Sequence, residues 1–244
     1  MSTLEEAFER YWWDSCNYAA NETKLEQVQT CIRTAMALDP SVPDANDACQ
    51  IAVSKVLEWG AGGTGLRLYT ANMAWACRNQ ATLACRLREG RIQIESDTPN
   101  LLVFKAETGP RMNAGYTKVF ALACNASVIY DGRVGAALGL LARMFCEVNQ
   151  LHSVPTNLAF RWSAQTASGN TTPLPRNPSR GCYTFGSLRN DSRLWAAWNI
   201  RANWILCEAR AKASARQAQW CMGAGGLRRI EAALFTMGYH LPTI

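Results

Sequence analysis

Residues 117–134 read TKVFALACNASVIYDGRV, an apolar stretch closed at its two ends by a lone amine, Lys118, and a lone carboxylate, Asp131. The spacing predicts a helix from Lys118 to about residue 125, which advances roughly 11 Å. The extended residues behind it reach back roughly 16–20 Å at most. Segment 127–130 can therefore return along its own helix and bring Asp131 to Lys118. An amine and a carboxylate would then meet where two helix N-termini converge, a place that also favours anions. Each residue has a plainer reading. Asp131 precedes a helix and can cap its free N–H groups. Lys118 opens a helix, where the dipole disfavours a cation, and would then be a solvated surface lysine.

The elements that must position this pair are helical. Apolar residues recur at three- and four-residue spacing over 3–19 and 22–38. Pro40 and Pro43 mark a break, and a further helix runs from Asp44 to about Trp59. Helices follow over 66–77, 79–88 and 99–106. Residues 107–116 form a turn, 117–126 a helix, and 132–149 a strong helix despite its glycines. Residues 163–181 form a polar loop, long enough to be functional or disordered. A long helix over 187–216 and a last one over 224–238 complete the chain. No segment alternates as a strand does, and the fold class is all-α. Gly60-Ala61-Gly62-Gly63-Thr64-Gly65 lacks the Gly-Lys-Ser/Thr ending of a phosphate loop and follows a helix, so it does not read as a nucleotide site.

With 244 residues and 48% hydrophobic side chains, the chain can bury a sizeable core. No run of 18 uninterrupted apolar residues reads as a membrane span. The acidic, amphipathic start lacks the pattern of a secretory signal, so a cytoplasmic protein is expected. Ten cysteines are scattered with no C-x-x-C and read as small buried hydrophobes in a reducing compartment. With only two histidines, no metal site and no cofactor are expected. Charge is unevenly spread. Residues 1–60 hold 4 Lys/Arg against 10 Asp/Glu, while 161–244 hold 11 against 3, ten of the eleven being Arg. Such a basic half suggests a polyanionic partner, nucleic acid above all.

Gly115-Tyr-Thr-Lys118-Val, an apolar helix, and then Asp131-Gly-Arg-Val at a helix start resemble the helix-hairpin-helix DNA glycosylases, closest to the 8-oxoguanine DNA glycosylase branch. The final EAALFTMGY (231–239) resembles that family's last helix. The resemblance implies a compact helical glycosylase fold with a degenerate hairpin motif and an active site in a cleft between helical subdomains of one unit, 1–244. It implies Lys118 as nucleophile and Asp131 as its partner. It implies a base pocket of Glu231, which reads the base edge, Phe235, which stacks on it, and Leu122 on the opposite face. Gly115 would contact DNA at the hairpin. Arg111, Arg133, Arg176 and Arg180 are candidate phosphate contacts by proximity and charge. The chain departs from the family in its single hairpin glycine, its longer turn, and a Glu where an amide is usual. It also lacks the β-rich N-terminal domain and the four-Cys iron–sulfur loop, as the archaeal all-helical members do.

The implied partner is double-stranded DNA carrying a damaged or modified base, met by a monomeric, nucleoid-associated protein. Breaking an N-glycosidic bond builds positive charge on the sugar, which a carboxylate stabilises. A neutral amine can attack C1′ and form an imine, and β-elimination then nicks the strand. The base must first flip out of the duplex. An ionised Glu231 only accepts hydrogen bonds, which favours a guanine-type edge. The alternatives are a glycosylase acting on modified phage DNA, a non-catalytic helical DNA-binding protein of the same fold, and a helical module whose basic half binds protein. If the basic half meets phosphates, duplex affinity should fall steeply as salt rises, through counterion release. A titration from low to high salt checks this, and a salt-independent affinity would point to the protein partner.

Overall fold

A computed structural model describes residues 3–62, 65–105, 107–165, 173–215 and 218–241. Among the described residues there are nine α-helices and no strand. The remaining ladder contacts are isolated bridges: Trp13 with Cys16, Trp162 with Ser187, and Arg180 with Tyr183. The chain divides into two compact units. The first takes Trp12–Ile129 and Asn190–Ile200; the second takes Met1–Tyr11, Tyr130–Arg189 and Arg201–Ile244.

In the first unit, α2 (Tyr18–Ala37), α3 (Pro43–Ala61) and α5 (Leu83–Glu95) pack against the short α6 (Tyr116–Ala123), and α4 (Leu66–Arg78) packs on α3. Seven of the eight residues of α6 are buried, Lys118 being the exception. A helix apolar on every side belongs in a core, and there its end groups need partners other than water. Asn113 Oδ1 accepts from the N–H groups of Gly115 (2.9 Å) and Tyr116 (3.0 Å). From α2, Arg33 donates to the carbonyls of Leu122 (3.0 Å) and Cys124 (2.9 Å).

The return of the chain after α6 is held by Asn199, which lies on the first turns of α8 (Ser192–Ala215) and is wholly buried. Its Nδ2 donates to Thr117 Oγ1 (3.3 Å) and to the Val128 carbonyl (2.8 Å). Ser127 Oγ donates to its Oδ1 (3.5 Å). The start of α6 and the segment behind it thus share one donor nitrogen, and the expected return along the helix is observed as far as Val128.

In the second unit, α9 (Gly226–Met237) packs on α1 (Leu4–Glu9) and α7 (Gly132–Val148). Tyr130 is wholly buried; its hydroxyl donates to the Arg161 carbonyl (2.6 Å) and accepts from the Arg161 N–H (3.0 Å). Burial pushes this phenol far above its ordinary value, so it stays neutral and serves as a fixed hydrogen-bonding group. Gly135 explains one of the glycines of α7: a Cβ there would stand 2.0 Å from the Arg161 carbonyl oxygen. Ala136, Leu140 and Leu241 form a core with Trp162 and Met237 against it.

Several expected boundaries move. The helix expected over 3–19 ends at Glu9. Asp14 (φ 49°) and Ser15 (φ 61°) turn the chain there, and Trp13 and Cys16 exchange backbone bonds of 3.0 and 2.9 Å. The helix expected over 79–88 is a 3-10 turn, Gln80–Thr82, followed by the longer α5. Asn46 of α3 accepts from the Ala84 N–H (3.0 Å) and helps fix that start. The helix expected over 99–106 is a 3-10 turn, Leu101–Lys105, and Ala106 lies outside the described residues. The long helix expected from 187 begins at Ser192, where Asp191 Oδ1 accepts from the Leu194 N–H (3.1 Å), and it runs unbroken to Ala215. Of the glycine-rich turn, Gly63 and Thr64 lie outside the described residues, as do 166–172 of the polar loop. No disulfide joins any of the ten cysteines, of which four are buried and three exposed, and burial pushes the Cys49 thiol up to about 11.

The Asn199 hub should carry measurable stability. Asn199→Leu keeps the volume but removes the three hydrogen bonds that Asn199 makes to Thr117, Ser127 and Val128. It should cost about 1–3 kcal/mol in chemical denaturation. A loss within 0.5 kcal/mol of zero, the size of a neutral surface change, would show that the hub holds nothing.

Candidate functional site

Lys118 is half-buried, and its Nζ donates to the Ala114 carbonyl at 2.9 Å. The amine is thus drawn back onto the turn that precedes α6, which the plain reading of a solvated lysine does not anticipate. The turn itself is fixed from two sides. Arg86 Nη1 donates to the carbonyls of Glu107 (2.9 Å) and Gly109 (3.0 Å). Asn72 of α4, wholly buried, accepts at Oδ1 from Arg111 Nε (3.1 Å) and Asn113 Nδ2 (2.9 Å) and donates to the Leu68 carbonyl (2.9 Å).

Arg111 is therefore part of the turn's own scaffold. Its guanidinium stands 6.0 Å from the Trp75 ring centroid, and burial draws it below its ordinary value. Gly115 has an ordinary φ of −84°. It is glycine for want of room, since a Cβ would stand 2.4 Å from Asn72 Nδ2 and 3.0 Å from Leu57 Cδ2. The element before the turn is a 3-10 turn of five residues rather than a full helix. Leu122 is wholly buried. Lys118, Leu122, Arg111 and Gly115 all belong to the first unit.

Asp131 and the remaining candidates belong to the second unit. Asp131 is the N-cap of α7, and Oδ1 alone makes the cap, accepting from Arg133 N (2.8 Å) and Val134 N (3.0 Å). Around it stands a compact group of cations and rings. The Arg133 guanidinium lies 4.2 Å from the Phe235 centroid and 4.8 Å from that of Tyr239. The Arg176 guanidinium lies 5.7 Å from the same Tyr239 ring, and its Nε donates to the Tyr239 carbonyl (3.3 Å). Burial draws both guanidiniums below their ordinary values; Arg133 adds to the effect on Arg176, and Asp131 opposes it for both. One carboxylate thus balances two arginines at the start of a helix.

Three expectations change against this geometry. Arg176 is buried and bound within the fold, so its replacement would report on stability more than on a phosphate contact. Glu231 is buried and forms an ion pair with Arg228, one turn earlier on α9. Phe235 is half-buried, with Arg133 over it and the Tyr11 ring 5.9 Å away, so a cation and an aromatic are among the neighbours of its ring. Arg180 is exposed, in a turn where it and Tyr183 exchange backbone bonds of 2.9 and 3.0 Å.

Sequence reasoning missed Asn72, Asn199, Arg228 and Tyr239. The first two carried a signal: an asparagine inside an otherwise helical pattern is a poor helix former and asks for a tertiary partner. No protein-family model, curated protein or solved structure matches the chain.

Asp131 has a structural task that can be measured alone. An amide oxygen caps nearly as well as a carboxylate, so Asp131→Asn keeps the cap and loses only the charge beside Arg133 and Arg176. Asp131→Ala removes the cap as well and should cost about 0.5–2 kcal/mol beyond Asp131→Asn. Thermal melts of the three proteins check the pair, and equal stability of all three would show that the cap contributes nothing.

Proposed function

We propose that the protein is a DNA glycosylase of the helix-hairpin-helix kind, acting through Lys118 on a flipped, damaged or modified base, with a guanine-type base favoured. The observation that carries the reading is Lys118 itself. It is the one residue of a buried helix that is not fully enclosed, and its amine is held on a carbonyl of the preceding turn. A single amine at the margin of an otherwise enclosed helix, oriented by that bond, supports a chemical role for it.

In this reading the Lys118 nitrogen attacks C1′ and the bond from C1′ to the base breaks. The base leaves with the electron pair and takes up a proton; the nitrogen lone pair then forms the imine as the C1′–O4′ bond opens and O4′ takes the proton the amine gives up, and removal of a C2′ proton allows β-elimination of the 3′ phosphate. Asp131 supplies negative charge for the cationic sugar. Its cap engages Oδ1 alone, which supports a second use of the carboxylate. Phe235 is the stacking surface and Glu231 the reader of the base edge, with Arg133 and Arg180 toward the DNA backbone; Leu122, Gly115 and Arg111 support that site from within the fold. Whether the base is a lesion in the cell's own DNA or a modification on phage DNA follows from the substrate the protein cuts.

A specific observation favours the alternative of a non-catalytic helical DNA-binding protein. Glu231 is paired, Phe235 has a guanidinium over its ring, and Leu122 is wholly enclosed. A base would have to displace Arg133 to stack on that side of Phe235.

Borohydride trapping separates the two. On duplexes carrying single modified bases or an abasic site, the wild-type protein should leave a covalent adduct, and Lys118→Ala should abolish it while keeping most of the duplex affinity. Asp131→Asn should slow excision at least about a hundredfold, because an amide cannot stabilise the developing cation. Tight duplex binding with no adduct on any substrate would select the binding protein; equal trapping by Lys118→Ala would remove Lys118 from the mechanism.

A further inference from the structure

We infer that Gly60 is the positioning residue for the Lys118 amine: the side chain it lacks leaves the channel in which the lysine stem lies on its way to the Ala114 carbonyl. Gly60 is buried in the last turn of α3, one of the helices packed on α6. A Cβ built there would stand 2.2 Å from Lys118 Cδ and 2.9 Å from Cε, with Cγ next at 3.6 Å. All three are atoms of one stem. Methylene carbons do not approach so closely, so an alanine at 60 would displace the stem from Cδ outward, while Cγ keeps an ordinary contact. The amine at its end would then reach its position by a different path from the one that sets its 2.9 Å bond to Ala114.

The backbone gives no other reason for glycine. Gly60 sits within regular helix, where alanine is the better residue and glycine the costly one. The same turn is anchored by Trp59, whose Nε1 donates to Asn21 Oδ1 of α2 (2.9 Å), so the helix is not free to slide away from the lysine. A helical position that forgoes alanine, facing the stem of one particular lysine, is explained by what that lysine does. The catalytic consequence rests on the glycosylase reading; the placement of the amine does not.

Two measurements test the placement without activity. The first is competitive acetylation followed by mass spectrometry, with exposed Lys24 and Lys55 as internal standards. In Gly60→Ala the Lys118 rate should change threefold or more while the two standards hold. The second is a double-mutant cycle. In a Lys118→Ala background, with the stem gone, Gly60→Ala should raise Tm, as alanine does in helices; in the wild-type background it should leave Tm unchanged or lower it. Unchanged Lys118 labelling, or the same Tm effect in both backgrounds, would overturn the inference even where the single variant folds poorly. If the wild-type protein traps abasic DNA, Gly60→Ala should trap at least tenfold more slowly, with a shifted pH profile and duplex affinity within twofold. A wild-type protein that never traps would end the glycosylase reading and leave labelling and the cycle to decide the role of Gly60.

Discussion

The first unit depends on enclosing a short helix on all sides. With Tyr116, Val119, Phe120, Leu122 and Ala123 all buried, the terminal N–H and C=O groups of α6 turn to protein partners. Asn113 answers at the start and Arg33 at the end, while Asn199 ties the helix start to the segment behind it. Buried polar hubs of this sort gain strength from low dielectric and lose heavily when half satisfied. The apolar burial and the polar network are therefore one constraint seen from two sides, and Lys118 is placed by both.

The second unit shows the same logic with charge. Asp131 is fixed by the helix it caps and by its neighbour Tyr130, whose hydroxyl is bonded twice to Arg161. Two arginines stand near that one carboxylate and share the Tyr239 ring. Guanidiniums tolerate such crowding better than ammonium groups, because they are planar, weakly hydrated and can stack on rings.

What was legible in the sequence was local. The helix expected over 132–149 is found at Gly132–Val148, since its apolar period and its capping aspartate are both written in adjacent residues. The return of the chain after α6 followed from bond lengths and helix rise alone, and is seen as far as Val128. What was illegible depended on partners far away in the chain. Asn199 acts on residues 82 and 71 positions distant, and no periodicity announces that. The turn that follows the early end of α1 uses left-handed Asp14 and Ser15, residue types that adopt such a backbone only in context. The burial of Arg176 inverted an expectation drawn from charge, because arginine count predicts a basic surface only on average. The enclosure of Leu122 and the pairing of Glu231 likewise follow from packing.

A lysine on a surface samples dozens of rotamers, and ordering one in a single geometry costs up to about 1.5–2 kcal/mol of conformational entropy. For Lys118 that loss is already incurred as the chain folds. Its Cα belongs to a helix that cannot move without repacking a core, its stem lies against Gly60, and its nitrogen rests on a carbonyl. Whatever meets this amine meets a group whose stem is already seated against the fold.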